Sequence, residues 1–140
     1  MPEAVVEAPV PTVVHVLNVS RAVDGIKWVA GRGPEPSEIM LVETMPGYAE
    51  AERGIAAIGQ VANQVRKLML KAGFLYDSYY WTYVVKYNLA QKGKKKVKVA
   101  ASDIERCREA LEAEIAKVKP RFIVTMGSVA LKYFMGTIIP

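Results

Sequence analysis

Ile39-Met-Leu-Val-Glu-Thr-Met-Pro-Gly47 is an apolar run broken by Pro-Gly, and it reads as a buried strand that stops at a turn. Two further apolar runs follow, Tyr79 to Lys86 and Phe122 to Met126, and helical patterns separate all three. Strand and helix alternating in this order predict an α/β fold, a three-layer sandwich around a central, mostly parallel sheet. In such sheets ligands gather outside the carboxyl ends of the strands, so Glu43 to Gly47 marks the first place to expect a site.

The segments between the strands carry their own signals. Ile58, Val61, Val65, Leu68, Met69 and Ala72 recur at helical spacing, and Gly73 stands where a left-handed cap belongs. Ser102-x-x-Glu105 has the form of a capping box, and Ile104, Cys107, Leu111, Ile115 and Val118 make one apolar stripe of a long helix stopped by Pro120. After Phe122 to Met126, Gly127-Ser128 opens a last helix through Phe134, with Gly136 as its cap. Upstream, the β-branched stretch Thr12 to Val19 and the apolar Ile26 to Ala30 flank the turn signal Asp24-Gly25, so a β-hairpin is expected ahead of the sheet. Residues 1–11, with Pro2, Pro9 and Pro11 among small residues, are expected as a flexible tail, leaving residues 12–140 as a single domain.

Composition narrows the function classes. A 140-residue chain that is 51% hydrophobic can bury one real core. Its net charge of +5 points to an anionic partner, nucleic acid being the commonest. The single cysteine, Cys107, excludes a disulfide framework within the chain and supplies no thiolate set for zinc; on an apolar helix stripe it reads as a buried structural thiol. His15, the one histidine, falls in an apolar strand pattern and reads as a hydrogen-bonded structural residue. No apolar stretch reaches the roughly 18 residues of a spanning helix, and no basic segment precedes an apolar run at the N-terminus. An intracellular, cytoplasmic protein without a membrane partner is therefore expected, nucleoid-associated if it binds DNA.

One charge run stands out. Lys92-Gly-Lys-Lys-Lys-Val-Lys98 lies in a stretch with no acidic residue between Lys86 and Asp103. Lys92, Lys94, Lys95, Lys96 and Lys98 can hold phosphates by counterion release, or the loop can serve only as a solvated face. It leaves the carboxyl end of the second strand, which puts it on the same edge as Glu43 to Gly47 and favours phosphate contact. Arg53 and Lys86 are expected to add contacts there.

The order and wording of these segments resemble the uracil-DNA glycosylase superfamily, in particular its iron–sulfur, family 4 and 5-like branch. The residues that carry the resemblance are Met40-Leu-Val-Glu-Thr-Met-Pro-Gly47 with Gly54 and Ala56-Ala-Ile-Gly59, then Thr82-Tyr-Val-Val-Lys-Tyr87. A third motif runs from Asp103-Ile-Glu-Arg-Cys107 to Pro120-Arg-Phe-Ile-Val-Thr-Met-Gly127 and Ala130. Together they span about Ser20 through Gly136. The resemblance implies a three-layer α/β fold, in agreement with the order of elements.

The same resemblance implies that the family's chemistry is altered. Where its first motif has Gly-Glu ahead of Pro-Gly, this chain has Glu43-Thr44, a carboxylate absent or displaced by one residue. The base pocket by resemblance comprises Ala57, in place of a phenylalanine that stacks on extruded uracil, and Tyr83, in place of an asparagine that reads the uracil edge. The four cluster ligands correspond approximately to Thr12, His15, Tyr87 and Cys107, only one of them a cysteine, so no iron–sulfur cluster and no other cofactor or metal is expected. The family's later histidine motif, a source of oxyanion stabilisation, has no counterpart in this sequence.

The expected function is then a catalytically silent glycosylase-like module that binds DNA non-specifically as an accessory to replication or repair, viral origin included. Thr44, Pro46 and Gly47 would give a backbone pocket for phosphate or sugar. The alternatives are an active uracil-DNA glycosylase with a rearranged site, in which Glu43, Thr44 or Glu50 takes the catalytic role, and a protein-interaction module. The latter would use Tyr79, Tyr80, Trp81 and Tyr87, if exposed, for a replication or repair partner, or an open sheet edge for self-association.

Overall fold

The computed structural model describes residues 27–92 and 98–136. The tail and the first arm of the expected hairpin lie outside these residues. Strand β1 (Ile39–Glu43) is central, with β2 (Tyr80–Tyr83) on one side and β3 (Phe122–Met126) on the other, both parallel to it. Leu41 stands opposite both Trp81 and Val124. Helices α1 (Tyr48–Arg53) and α2 (Gln60–Lys71) lead from β1 to β2; a 3₁₀ turn (Leu89–Lys92) and α3 (Ala101–Val118) lead to β3, and α4 (Ser128–Met135) follows.

Period-two alternation divides the strand side chains between two cores. Met40, Val42 and Tyr80 pack against Cys107, Leu111 and Val118 of α3 and Ala130 of α4. Ile39, Leu41, Trp81 and Tyr83 point the other way, onto Ala62 of α2, with Val65 and Met69 partly buried beside it. Helix, sheet, helix is the three-layer order expected from the sequence. The aromatic run of β2 belongs to these cores: Tyr79, Tyr80, Trp81 and Tyr87 are all buried, which removes them as an interaction surface.

Four local expectations are corrected. Residues 27–30, the described part of the expected second hairpin arm, carry no strand; the segment runs along the β2 edge, where Val29 N–H donates to Lys86 C=O at 2.7 Å and Arg32 makes an isolated antiparallel bridge to Trp81. Strand β2 is shorter than Tyr79 to Lys86, although Val84 and Val85 still donate N–H groups to the Glu43 and Thr44 carbonyls at 2.9 and 2.8 Å. In α2 the buried face is the one carrying Ala62, so Val61 and Leu68 are exposed despite their helical spacing. Helix α3 starts earlier than Ser102-x-x-Glu105 implied, because Asp103 Oδ2 reaches back to accept the Ala100 N–H at 3.1 Å.

Lys86 is the largest correction. Its side chain has no exposed surface and is paired to Glu114 of α3, Nζ to Oε1 at 2.5 Å, so it cannot meet a phosphate. Glu114 also accepts from Thr82 Oγ1 at 2.6 Å, Tyr80 Oη at 3.1 Å and the Gly31 N–H at 2.8 Å. A buried pair persists only when its remaining lone pairs and protons are satisfied, and this carboxylate gathers every donor around it. The pair fastens β2 to α3 just beyond the strand's carboxyl end.

At the far edge, Phe122 and Val124 of β3 remain 55% and 42% exposed. They lie on the α2 side of the sheet, and α2 covers only the β1 and β2 half of that face.

Candidate functional site

Beyond Glu43 the chain turns through Thr44–Gly47 into α1, and Asn88 and Gly127 meet that turn. Asn88 Nδ2 donates to the Pro46 carbonyl at 2.9 Å, while its Oδ1 accepts the Ala90 N–H at 2.7 Å. Gly127, at φ +97°, holds a conformation that favours glycine, and a Cβ there would lie 3.3 Å from Thr44 Oγ1, tighter than ordinary contact. Gly47 is the residue before the first turn of α1 and is exposed, whereas Pro46 is buried and Thr44 half-buried.

A cleft of about 400 Å³ opens at this strand end, with Glu43, Gly47, Tyr48, Glu50 and Gly59 in its wall. Glu43 is half-buried and accepts Trp81 Nε1–H at 3.0 Å. Burial pushes its carboxyl above the ordinary 4.5, the Trp81 hydrogen bond opposes the rise, and the Glu50 charge adds to it. A carboxyl held up in this way is bound by more protons folded than unfolded. Stability therefore falls as pH rises from 4.5 through the raised folded value, and Glu43→Gln is expected to remove that fall. Urea midpoints of both proteins from about pH 4 to about pH 8 check this, since equal slopes would mean an ordinary carboxylate.

Glu50 is engaged with backbone. It is 7% exposed, and its Oε2 accepts the N–H groups of Ile58 at 3.0 Å and Gly59 at 2.7 Å. Gly59 precedes α2, so the carboxylate caps that helix where the dipole favours negative charge.

The two base-pocket positions meet directly. Tyr83 Oη accepts the Ala57 N–H at 3.0 Å, and both residues are buried at 0% and 1% exposure. Ala57 sits in the left-handed region at φ +59°, an unfavourable place for a residue with a Cβ, and is held by its neighbours. Its carbonyl accepts from Arg66 Nη1 at 2.7 Å and Arg32 Nη2 at 3.3 Å. Burial raises the Tyr83 hydroxyl pKa far above the ordinary value, keeping it neutral and available as an acceptor. Tyr83→Phe would orphan the buried Ala57 N–H and is expected to lower stability by about 1–3 kcal/mol, read as a lower urea midpoint at unchanged slope.

The structure thus gathers Glu43, Thr44, Pro46, Gly47 and Glu50 at one strand end, with Tyr83 opposite Glu43 in the sheet register and Ala57 joined to it. Arg53, in the last turn of α1, and Lys98 are exposed. Lys94, Lys95 and Lys96, and the side chain of Lys92, lie outside what is described. Two contributors were missed in the sequence. Tyr48, 69% exposed on the cleft wall, was signalled only as an aromatic after Pro-Gly, and Asn88 only as the polar residue ending an aromatic strand.

Cluster ligation does not fit the donors present. Tyr87 Oη donates to Asp103 Oδ1 at 2.7 Å, and Cys107, the chain's single cysteine, accepts the Lys86 N–H at 3.2 Å with its thiol pushed up by burial. One thiol cannot replace the four thiolates of a cubane cluster. Among the described residues no group of three or more His, Cys, Asp or Glu is placed to hold a metal ion, and no helix is long and apolar enough to cross a membrane. Compared with known families, residues 30–139 match the family model described as the uracil DNA glycosylase superfamily. No curated protein matches the chain.

Proposed function

The chain belongs to the uracil DNA glycosylase superfamily, and on that premise we propose that it is a catalytically silent member that binds DNA without sequence preference, as an accessory to replication or repair. The contact between Tyr83 Oη and the Ala57 N–H carries this reading. An extruded uracil needs a stacking face and a paired donor and acceptor at these two positions. A methyl group and a phenol committed to a backbone amide offer neither. Glu50, spent on the α2 N-terminus, leaves Glu43 as the one cleft carboxylate not consumed by backbone.

DNA affinity would come from charge on the strand-end edge. Exposed Arg53 and Lys98 support this, as does the lysine run in the sequence, with Thr44 to Gly47 as a backbone seat for a phosphate. Fluorescence anisotropy of a labelled duplex with and without one uracil, at two salt concentrations, tests it. Equal affinities that fall together with salt are expected; a clear preference for the uracil duplex refutes it.

Glu43 favours a second reading, an active glycosylase with a rearranged carboxylate. It faces the cleft, and burial raises its pKa toward the range useful for proton transfer. That reading requires a uracil-dependent product that Glu43→Gln abolishes.

A further inference from the structure

A second cavity, of about 420 Å³, opens beside the start of β2, away from the strand ends that carry the Glu43 cleft. Three separate segments build it. Tyr79, immediately before β2, is 3% exposed, and its hydroxyl is the one buried side-chain polar atom among the described residues without a hydrogen-bond partner. Tyr79 is one of the residues that line the cavity, and burying a hydroxyl unpaired is unfavourable, so this orphan points to an acceptor that the cavity can admit.

The edge segment supplies Arg32. Its backbone exchanges hydrogen bonds with Trp81 at 2.9 and 2.8 Å, and the next residue, Gly33 at φ +150°, lies against Tyr79 and Tyr80. A Cβ at position 33 would fall 2.6 Å from both the Tyr79 carbonyl oxygen and the Tyr80 Cα, so glycine lets this segment close over the start of the strand. Helix α2 supplies Arg66, 12% exposed, with its guanidinium 5.6 Å from the Trp81 ring centre. Both guanidiniums donate to the Ala57 carbonyl, and Arg32 Nε also donates to the Ala56 carbonyl at 3.0 Å. The two heads are therefore fixed in the same place. Each carries five N–H donors, more than these bonds use. Asp77, 69% exposed at the rim and 3.5 Å from Arg66 Nε, offsets one of the two positive charges.

We propose that this cavity binds a phosphate group, with the Tyr79 hydroxyl donating to one oxygen and Arg32 and Arg66 holding the others. Planar guanidinium forks match phosphate geometry, and immobilised ones lose little freedom on binding it. The volume leaves room for a sugar or nucleoside attached to the phosphate. The phosphate arrives either as a small ion or ester or as a phosphodiester of a nucleic acid backbone. The site involves neither the lysine run nor the base-pocket positions' side chains, so it stands whether or not the chain is a silent DNA-binding module.

Calorimetric titration of the full chain with inorganic phosphate, at ionic strength matched with chloride, tests it. A parallel titration uses a short thymidine oligonucleotide that has phosphodiesters but no terminal phosphate. Saturable binding of inorganic phosphate is expected, weakened about tenfold or more in Tyr79→Phe, which loses only the orphan hydroxyl and should fold as well as the parent. Arg32→Gln should weaken binding similarly and carries the test if Tyr79→Phe folds poorly. If Tyr79→Phe weakens both probes, the site serves a nucleic acid backbone; if it weakens phosphate alone, the site takes a small phosphate or its ester. Absence of saturable phosphate binding, or equal affinity in the parent and both variants, overturns the proposal.

Discussion

Glu114→Ala lowers the stability of this protein by about 3–5 kcal/mol, because it leaves the Lys86 ammonium buried and unpaired. Lys86 is wholly buried and Glu114 is 2% exposed. The loss extends beyond one ion pair. Thr82 Oγ1 accepts from Lys86 Nζ while donating to Glu114, and Tyr80 and the Gly31 N–H lose their acceptor at the same time. Replacing both charges, as Lys86→Met with Glu114→Leu, removes the unpaired ammonium but still orphans the Gly31 donor and two hydroxyls. The double variant is therefore expected to recover only part of the loss. Urea denaturation of the parent and both variants measures this, and a loss under about 1 kcal/mol in Glu114→Ala would mean that water reaches the pair.

The lysine run gives the second large effect. Replacing Lys92, Lys94, Lys95, Lys96 and Lys98 with glutamine should make the plot of log affinity against log salt shallower by about 4.5, if each lysine neutralises one duplex phosphate. The same contacts imply that the parent's affinity falls roughly 500-fold between about 50 and about 200 mM salt. The loss should be equal for uracil-containing and uracil-free duplexes, since phosphate contacts carry no base information. An unchanged slope in the variant would assign the run to solubility alone.

What the sequence revealed and what it hid follow from the range of the forces involved. Strand β3 was legible to the residue because a short β-branched run between Pro120 and Gly127 has few other readings. The α3 stripe was legible for the same reason, as one apolar face over eighteen residues. Lys86 was not, because a lysine at a strand end looks alike in water or in the core until its partner is known, and Glu114 lies 28 residues away. In α2, Val61 and Leu68 share helical spacing with the buried face, and only the position of the helix over β1 and β2 shows which residues face the sheet. The strand-end site was legible in outline, from the Pro-Gly break and from a resemblance that pointed to Ala57 and Tyr83. Their contact was not, since it depends on a left-handed alanine and a tyrosine 26 residues apart. The fate of Glu50 was hidden similarly: its acidity near a helix start was visible, but the helix it caps is the next one, α2.

The central claim is that closing the base pocket with Tyr83 has silenced the family's chemistry while DNA binding persists. It is tested most directly by incubating excess protein with an end-labelled duplex carrying one uracil, treating with alkali, and resolving the strands on a denaturing gel. The account predicts an intact strand, the same as with the uracil-free duplex, under conditions where anisotropy shows the DNA bound. A strand cleaved only where uracil was present would contradict it.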